Sequence, residues 1–370
     1  MTSNSNRGQF KKNCFTRRRV KDIRKENFEF MDKPRVAVIG AGTWGFNHVR
    51  TFNNLNTCEL VGVSELSDKN LKRVETQFPE LKTSKDYIDF TQSSDIDAIV
   101  VPSSAETHYE IAKDALIHGK HCLVEKPITL DIDEAQELVT IAREKELVLM
   151  VGHLLLYHGA VDFLKKLVDE KQIGDMLYLY SQRVNLGKVR SNENALWSFA
   201  PHDISIMLYL IDSKPIRVSA TGQSFLQKKK NIHDVVFFTI YFENGTIATG
   251  QVSWLDPHKI RKFTIVGSKK MITFDDMEVR EKIRIYDKGI EGWNVSYDSY
   301  AESMSIHDGD ISIPKVVLTE PLKREDSHFI ECIVDKKKPL TDGQSGLDVL
   351  KILVAAQRSL ENFGKPEDIS

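Results

Sequence analysis

Residues 36–45 read Val-Ala-Val-Ile-Gly-Ala-Gly-Thr-Trp-Gly: an apolar run that breaks into three glycines, Gly40, Gly42 and Gly45, and then opens an amphipathic stretch. An apolar run of this length ending in glycines predicts a buried strand leading through a tight turn into a helix. Glycine at these places lets the turn close and lets the backbone approach a pyrophosphate at the positive end of the helix. The chain thus opens as the first strand–turn–helix unit of a dinucleotide-binding sheet.

The first half continues that pattern. Apolar runs at 35–39, 59–63, 98–101, 121–124 and 147–151 alternate with candidate helices near 44–54, 68–77, 108–118 and 132–145. This predicts an α/β Rossmann domain over residues 34–152, a doubly wound parallel sheet with its ligand at the carboxyl ends of the strands. After Gly152 the pattern changes. Helical stretches near 159–170 and 201–211 precede strand-like runs at 216–223, 235–242, 246–254, 262–266, 271–274 and 282–286, with Asn244-Gly245 marking a hairpin. Residues 153–370 are expected to form an α+β domain on a large, mainly antiparallel sheet. The run 235–242 is apolar on both faces. One face can pack on helices, while the other needs a cover, most simply a second copy, so a homo-oligomer (dimer or tetramer) is expected. Helices near 324–337 and 345–363 close the chain, and the second is expected to pack back on the first domain.

Composition excludes several partners. At 370 residues the chain can hold two cores, and its net charge of −2 argues against nucleic acid as the main partner. No apolar run approaches the length of a membrane span. Residues 1–30 carry nine Lys or Arg against three acids, about +6, without the apolar core of a secretory signal. Residues 1–33 are expected to be a basic, disordered leader. The four cysteines (Cys14, Cys58, Cys122, Cys332) lack the spacing of a zinc site and fit reduced thiols in a cytoplasmic protein. No metal is expected.

Several residues carry candidate chemistry. Glu65 falls 25 positions after Gly40, where a carboxylate at the end of the second strand can bind both ribose hydroxyls of an adenosine. It would repel a 2′-phosphate by about 4 kcal/mol at ~4 Å and an effective dielectric near ~20, which favours NAD over NADP. Pro102-Ser103-Ser104 with Thr107-His108 follows the third apolar run. It would form a loop over the cofactor, with His108 either facing the cofactor or starting a helix. Glu125-Lys126-Pro127 follows the fourth run, so Lys126 leaves a strand's carboxyl end beside the crevice. An ammonium there can stabilise a developing alkoxide. His202, one residue past Pro201, is expected in a helix's first turn, where the positive helix end would keep the imidazole neutral and able to accept a proton.

Taken in order, Gly40-x-Gly42-x-x-Gly45-x-x-His48, Thr107-His108, Glu125-Lys126-Pro127 and Ala200-Pro201-His202-Asp203 make the chain resemble the glucose–fructose oxidoreductase/inositol dehydrogenase (Gfo/Idh/MocA) family over about residues 34–364. The resemblance implies NAD(P)-dependent oxidation of a sugar, nucleotide sugar or inositol. It implies a cofactor site of Gly40, Gly42, Thr43, Trp44, Gly45, Glu65, Pro102, Ser103, His108, Glu125 and Lys126. It also gives catalytic roles to Lys126, on the reacting hydroxyl, and to His202. The family often carries an aspartate four residues before this histidine, where this chain has Ser198. Pocket-wall candidates are His153, Tyr157, Arg183, Asn185, Lys188, Asn194, Trp197 and Ser198, with Arg183 and Lys188 suited to a diphosphate. The segments 183–187 and 194–197, with 200–205, resemble the branch that oxidises UDP-N-acetylglucosamine at C3. In that branch the 3-keto product passes to an aminotransferase, toward 2,3-diamino sugars of lipid A-type glycolipids.

Overall fold

The computed structural model describes residues 33–187, 189–291 and 305–369. Residues 1–32 of the predicted leader and Lys188 lie outside the described residues.

The first sheet is built from β1 (Arg35–Ile39), α1 (Gly45–Asn53), β2 (Glu59–Ser64), α2 (Asp68–Gln77), β3 (Lys82–Ser84), α3 (Ile88–Thr91), β4 (Ala98–Val101), α4 (His108–Ile117), β5 (His121–Glu125), α5 (Ile132–Glu144) and β6 (Leu149–Gly152). All six strands run parallel in the order β3-β2-β1-β4-β5-β6. The order reverses between β1 and β4, so their carboxyl ends flank the crevice in which such sheets bind ligands. Strands such as Ala98–Val101 are buried at every position, which is why they read as unbroken apolar runs. Asp131 caps α5 by accepting from the amides of Asp133 and Glu134 at 2.8 and 3.1 Å.

The second sheet has nine strands and is mostly antiparallel. It comprises α6 (Gly159–Asp169), β7 (Met176–Val184), α7 (Ala195–Leu210), β8 (Pro215–Gln223), β9 (Val235–Phe242), β10 (Ile247–Ser253), β11 (Ile260–Gly267), β12 (Met271–Asp275), β13 (Ile283–Glu291), β14 (Ser305–Ser312), α8 (Pro321–Val334), α9 (Gly343–Glu361) and β15 (Glu367–Asp368), with spatial order β14-β13-β12-β11-β7-β10-β9-β8-β15. Central β7 went unrecognised in the sequence because Ser181-Gln-Arg breaks its apolar alternation. It runs parallel to β10 and antiparallel to β11. In β9, Val236, Phe238, Ile240 and Phe242 face the helices, while Phe237 is half exposed on the open face with Tyr178 and Tyr180.

One expectation needs correction. Helix α7 starts at Ala195, not near residue 201, because Asn194 Oδ1 caps it at the Trp197 amide (3.2 Å) and Ala195, Leu196 and Ala200 are fully buried. Pro201 therefore sits inside the helix, and His202 lies beyond its first turn. The second closing helix packs on the first sheet, and the first closing helix does so as well. Phe329 and Ile330 of α8 join Phe46, Val49 and Phe52 of α1 in one apolar cluster, and Leu347 and Leu350 of α9 join Ile99 and Val124 in another. Each side chain so buried contributes about 1.5–3 kcal/mol.

Candidate active site

The glycine turn is shaped by contact. Gly40 has φ +106°, and its amide donates to Ser64 O at 2.7 Å. A Cβ on Gly45 would stand 2.0 Å from Gly40 O, so only glycine lets α1 start this close to β1. Gly42 has nothing within 4 Å of where a Cβ would be. Its backbone edge is open, and α1 carries no acid in its first turn, so the turn fits the pyrophosphate of a dinucleotide. Thr43 and Trp44 are exposed at the rim. The Glu65 carboxylate accepts from the Ala41 amide at 2.7 Å and the Ser67 amide at 2.8 Å, tying the end of β2 to the turn. Pro102 and Ser103 follow β4 against the same turn, with Ser103 Oγ and Thr107 Oγ1 2.8 Å apart. His108 is buried at the start of α4. Its Nδ1 lies 2.8 Å from Pro127 O and its Nε2 3.2 Å from Ser103 O, so it ties the β4 loop to the turn after β5.

That turn carries Glu125 and Lys126. Trp44 Nε1 donates to Glu125 Oε1 at 2.6 Å, and His48 Nε2 lies 3.2 Å from the same oxygen. Burial alone would raise the Glu125 pKa, but the hydrogen bond and charge of His48, with Trp44 and Lys126, hold it below the ordinary carboxylate value. Lys126 Nζ donates to Ser198 O of α7 at 3.2 Å. Pro201 has no amide to offer the Trp197 carbonyl one turn back, and the Ser198 carbonyl beside it is the one that accepts from the ammonium. Burial lowers the Lys126 pKa, with Arg190 and Arg183 adding to the effect and Glu125 and Glu193 opposing it.

Two histidines face this lysine. His202 sits on α7 with its Nδ1 buried and, among the described residues, unpartnered. Burial first, then Lys126, Arg183 and His153, pushes its pKa well below the ordinary imidazole value. The lowered pKa comes from burial and nearby cations; the helix end expected from the sequence is not at hand, because His202 lies beyond the first turn of α7. His153, just past β6, is 2% exposed with both ring nitrogens unpartnered among the described residues. Burial lowers its pKa to about 4. Together, Lys126, His153 and His202 form a site with proton-accepting capacity and one cation.

The remaining pocket-wall candidates are spread more widely. Arg183 on β7 is buried and doubly bonded to Asp203 Oδ1 (Nε 2.7 Å, Nη2 2.6 Å), so its charge is committed inside the protein rather than open to a phosphate. The Tyr157 hydroxyl points to Thr341 Oγ1 (3.1 Å) in the core beside His328, away from the crevice. Asn194 Nδ2 and Trp197 Nε1 both donate to Gln357 Oε1 of α9, at 2.9 and 3.2 Å. Asn185 is half-buried, and its amide pairs with Ser253 O at 3.1 Å. A half-open pocket of about 660 Å³ that His153 also lines lies between the end of α7 and α9, and neither Lys126 nor His202 lines it. Sequence reasoning placed Trp44 in the cofactor site without its bond to Glu125, gave no role to Asp203, and missed Asp326, which lies 2.9 Å from His48 Nδ1. An acid beside His202 and an acidic pair in a late helix were visible in the sequence, but their partners are distant in the chain. Among the described residues no group of His, Cys, Asp and Glu is arranged to hold a metal, and no helix is long and apolar enough to cross a membrane.

Comparison with known proteins bears on this arrangement. Residues 34–153 match the oxidoreductase family's NAD-binding Rossmann fold, and residues 161–273 match the GFO/IDH/MocA C-terminal domain. The UDP-N-acetylglucosamine 3-dehydrogenase of Acidithiobacillus ferrooxidans is 26% identical over 330 residues, covering 89% of this chain and 98% of that protein. The scyllo-inositol 2-dehydrogenase (NAD(+)) of Bacillus subtilis is 22% identical over 341 residues, covering 89% and 94%. The solved A. ferrooxidans enzyme superimposes with a TM-score of 0.74 at 24% identity, over 90% of this chain and 99% of that one. With both halves of the chain matched and the glycine turn open to a dinucleotide, this protein belongs to the Gfo/Idh/MocA family of NAD(P)-dependent oxidoreductases.

Proposed function

We propose that the chain is an NAD-dependent dehydrogenase that oxidises the C3 hydroxyl of a nucleotide sugar, with UDP-N-acetylglucosamine as the substrate. One observation supports this most: Lys126, at the carboxyl end of β5, lies near His202, whose Nδ1 is buried and unpartnered among the described residues and whose pKa burial and Lys126 push well down. NAD, when bound, supplies the acceptor for the hydride that leaves the hydroxyl carbon. Gly40, Gly42 and Gly45 would hold its pyrophosphate, and Glu65 its adenosine ribose, since two amide bonds leave acceptor capacity on that carboxylate.

Lys126 donates to the sugar oxygen and stabilises the negative charge that develops there. His202 accepts the hydroxyl proton, and its depressed pKa keeps it free to do so at neutral pH. Ser198 contributes its backbone carbonyl to orient Lys126 and cannot share the proton as an aspartate would. With Arg183 committed to Asp203 inside the protein, the diphosphate would fall to Lys188 and to Arg190, which is half exposed at the rim and pairs there with Glu193 at 3.0 Å. The open face bearing Tyr178, Tyr180 and Phe237 suits burial against another copy in a cytoplasmic homo-oligomer. The 3-keto product would be consumed by an aminotransferase, toward lipid A-type diamino sugars.

The test is a panel of UDP-sugars, free sugars and inositols with NAD, followed by the absorbance of the reduced cofactor and coupled to an aminotransferase to draw off product. Turnover of UDP-N-acetylglucosamine, with thermal protection by UDP alone, is expected. Turnover of inositol without UDP protection would overturn the substrate assignment.

A further inference from the structure

We propose that Asp326 and His48 are positioning residues for the cofactor site: together they hold the Glu125 carboxylate in the orientation in which it flanks Lys126. The inference rests on Glu125-Lys126 forming the cofactor-side end of the site. His48 comes from α1, Glu125 from the end of β5, and Asp326 from α8, 278 positions after His48. All three are buried. Each ring nitrogen of His48 meets a carboxylate oxygen, Asp326 Oδ1 at 2.9 Å and Glu125 Oε1 at 3.2 Å. An imidazole donating from both nitrogens is an imidazolium. Burial works against that charge, and the two carboxylates outweigh it.

The other approaches to Glu125 are filled as well. Trp44 Nε1 shares Oε1 at 2.6 Å, the Lys126 amide donates to Oε2 at 3.1 Å, and a Cβ on Gly152 would stand 2.8 Å from Oε1. The titratable and charged groups facing this cluster are Glu125 at the end of β5 and Lys126 after it, His108 at the start of α4, His153 and Tyr157 after β6, and Glu320, Glu325 and Asp326 at the start of α8; burial lowers the pKa of both His108 and His153. Both carboxyl oxygens of Glu325 are buried without a partner among the described residues, and burial with the charges of Glu125 and Asp326 pushes its pKa well above the ordinary carboxylate value. A buried ionic cluster contributes less stability than apolar side chains of the same volume, so its value here lies in fixing an orientation.

The test is NAD titration of the full chain without sugar, by calorimetry at pH 6 and pH 8.5, so the outcome does not depend on which sugar is the substrate. In Asp326→Asn, His48 loses the carboxylate that keeps it charged. NAD should bind about tenfold more weakly at pH 8.5 and recover to within about threefold at pH 6, as His48 regains its proton. The unaltered chain should bind NAD equally at both pH values. Binding by the variant within about twofold of the parent at pH 8.5, or equal weakening at both pH values as lost packing would give, overturns the proposal. If the variant does not fold, nitrogen-15 spectra of the eleven histidines in the unaltered chain decide. One doubly protonated ring at pH 8.5 whose signals move with NAD is expected, and none sinks the idea.

Discussion

His48 and His202 are two enclosed histidines on either side of the Glu125-Lys126 turn, and the fold drives them in opposite directions. His48 has a carboxylate on each nitrogen and is pushed well above the ordinary imidazole pKa; His202 faces cations, has no carboxylate on Nδ1 among the described residues, and is pushed well below it. Burial opposes the charged form in both. The difference lies in which neighbours each helix brings. Helix α8 delivers an aspartate to the cofactor side, whereas α7 faces Lys126 while its own aspartate, Asp203, is consumed by Arg183. The result is a fixed cation on one side of Lys126 and an available base on the other.

The comparison can be broken in three places. Asp203→Leu strands the buried Arg183 charge beside His202 and should cost about 3–5 kcal/mol in urea unfolding. A loss below about 1 kcal/mol would mean that the pair does not hold the positive field on that side. Lys126→Ala should lower turnover by about a hundredfold or more while NAD affinity, followed by titration, stays within about threefold. Near-normal turnover would remove the lysine from the chemistry. The third test is acid. The folded pKa of His153, about 4, lies below the ordinary 6.5, so between those values the unfolded chain binds the extra proton. Stability from this group is complete above pH 6.5 and falls as the pH drops, by about 3 kcal/mol at pH 4. His153→Asn should flatten that part of the stability–pH curve measured by chemical denaturation. An unchanged curve would place the acid sensitivity elsewhere.

The sequence made the local features legible and left the distant pairings hidden. The glycine turn, the buried strands and Glu125-Lys126 could be read because each is set by a few consecutive residues. The start of α7 was misread because Pro201 looks like a first-turn residue, whereas the stronger signal was Asn194 as a cap ahead of buried Ala195 and Leu196. Arg183 looked like a phosphate ligand because nothing local shows that a buried aspartate 20 positions later claims it. Asp326 could not be assigned a role before α8 was seen against α1. The open crevice side, with Trp44 reaching Glu125, likewise depends on an approach 81 positions long.

The return of α8 also has a consequence for how the protein is made. On the ribosome, the six strands of the first sheet leave the exit tunnel early, and the face of α1 that carries His48 and Phe52 stays uncovered until α8 follows. An apolar surface left waiting in this way is where a nascent chain meets chaperones or aggregates. The half of the protein that is synthesised first is therefore among the last to be completed.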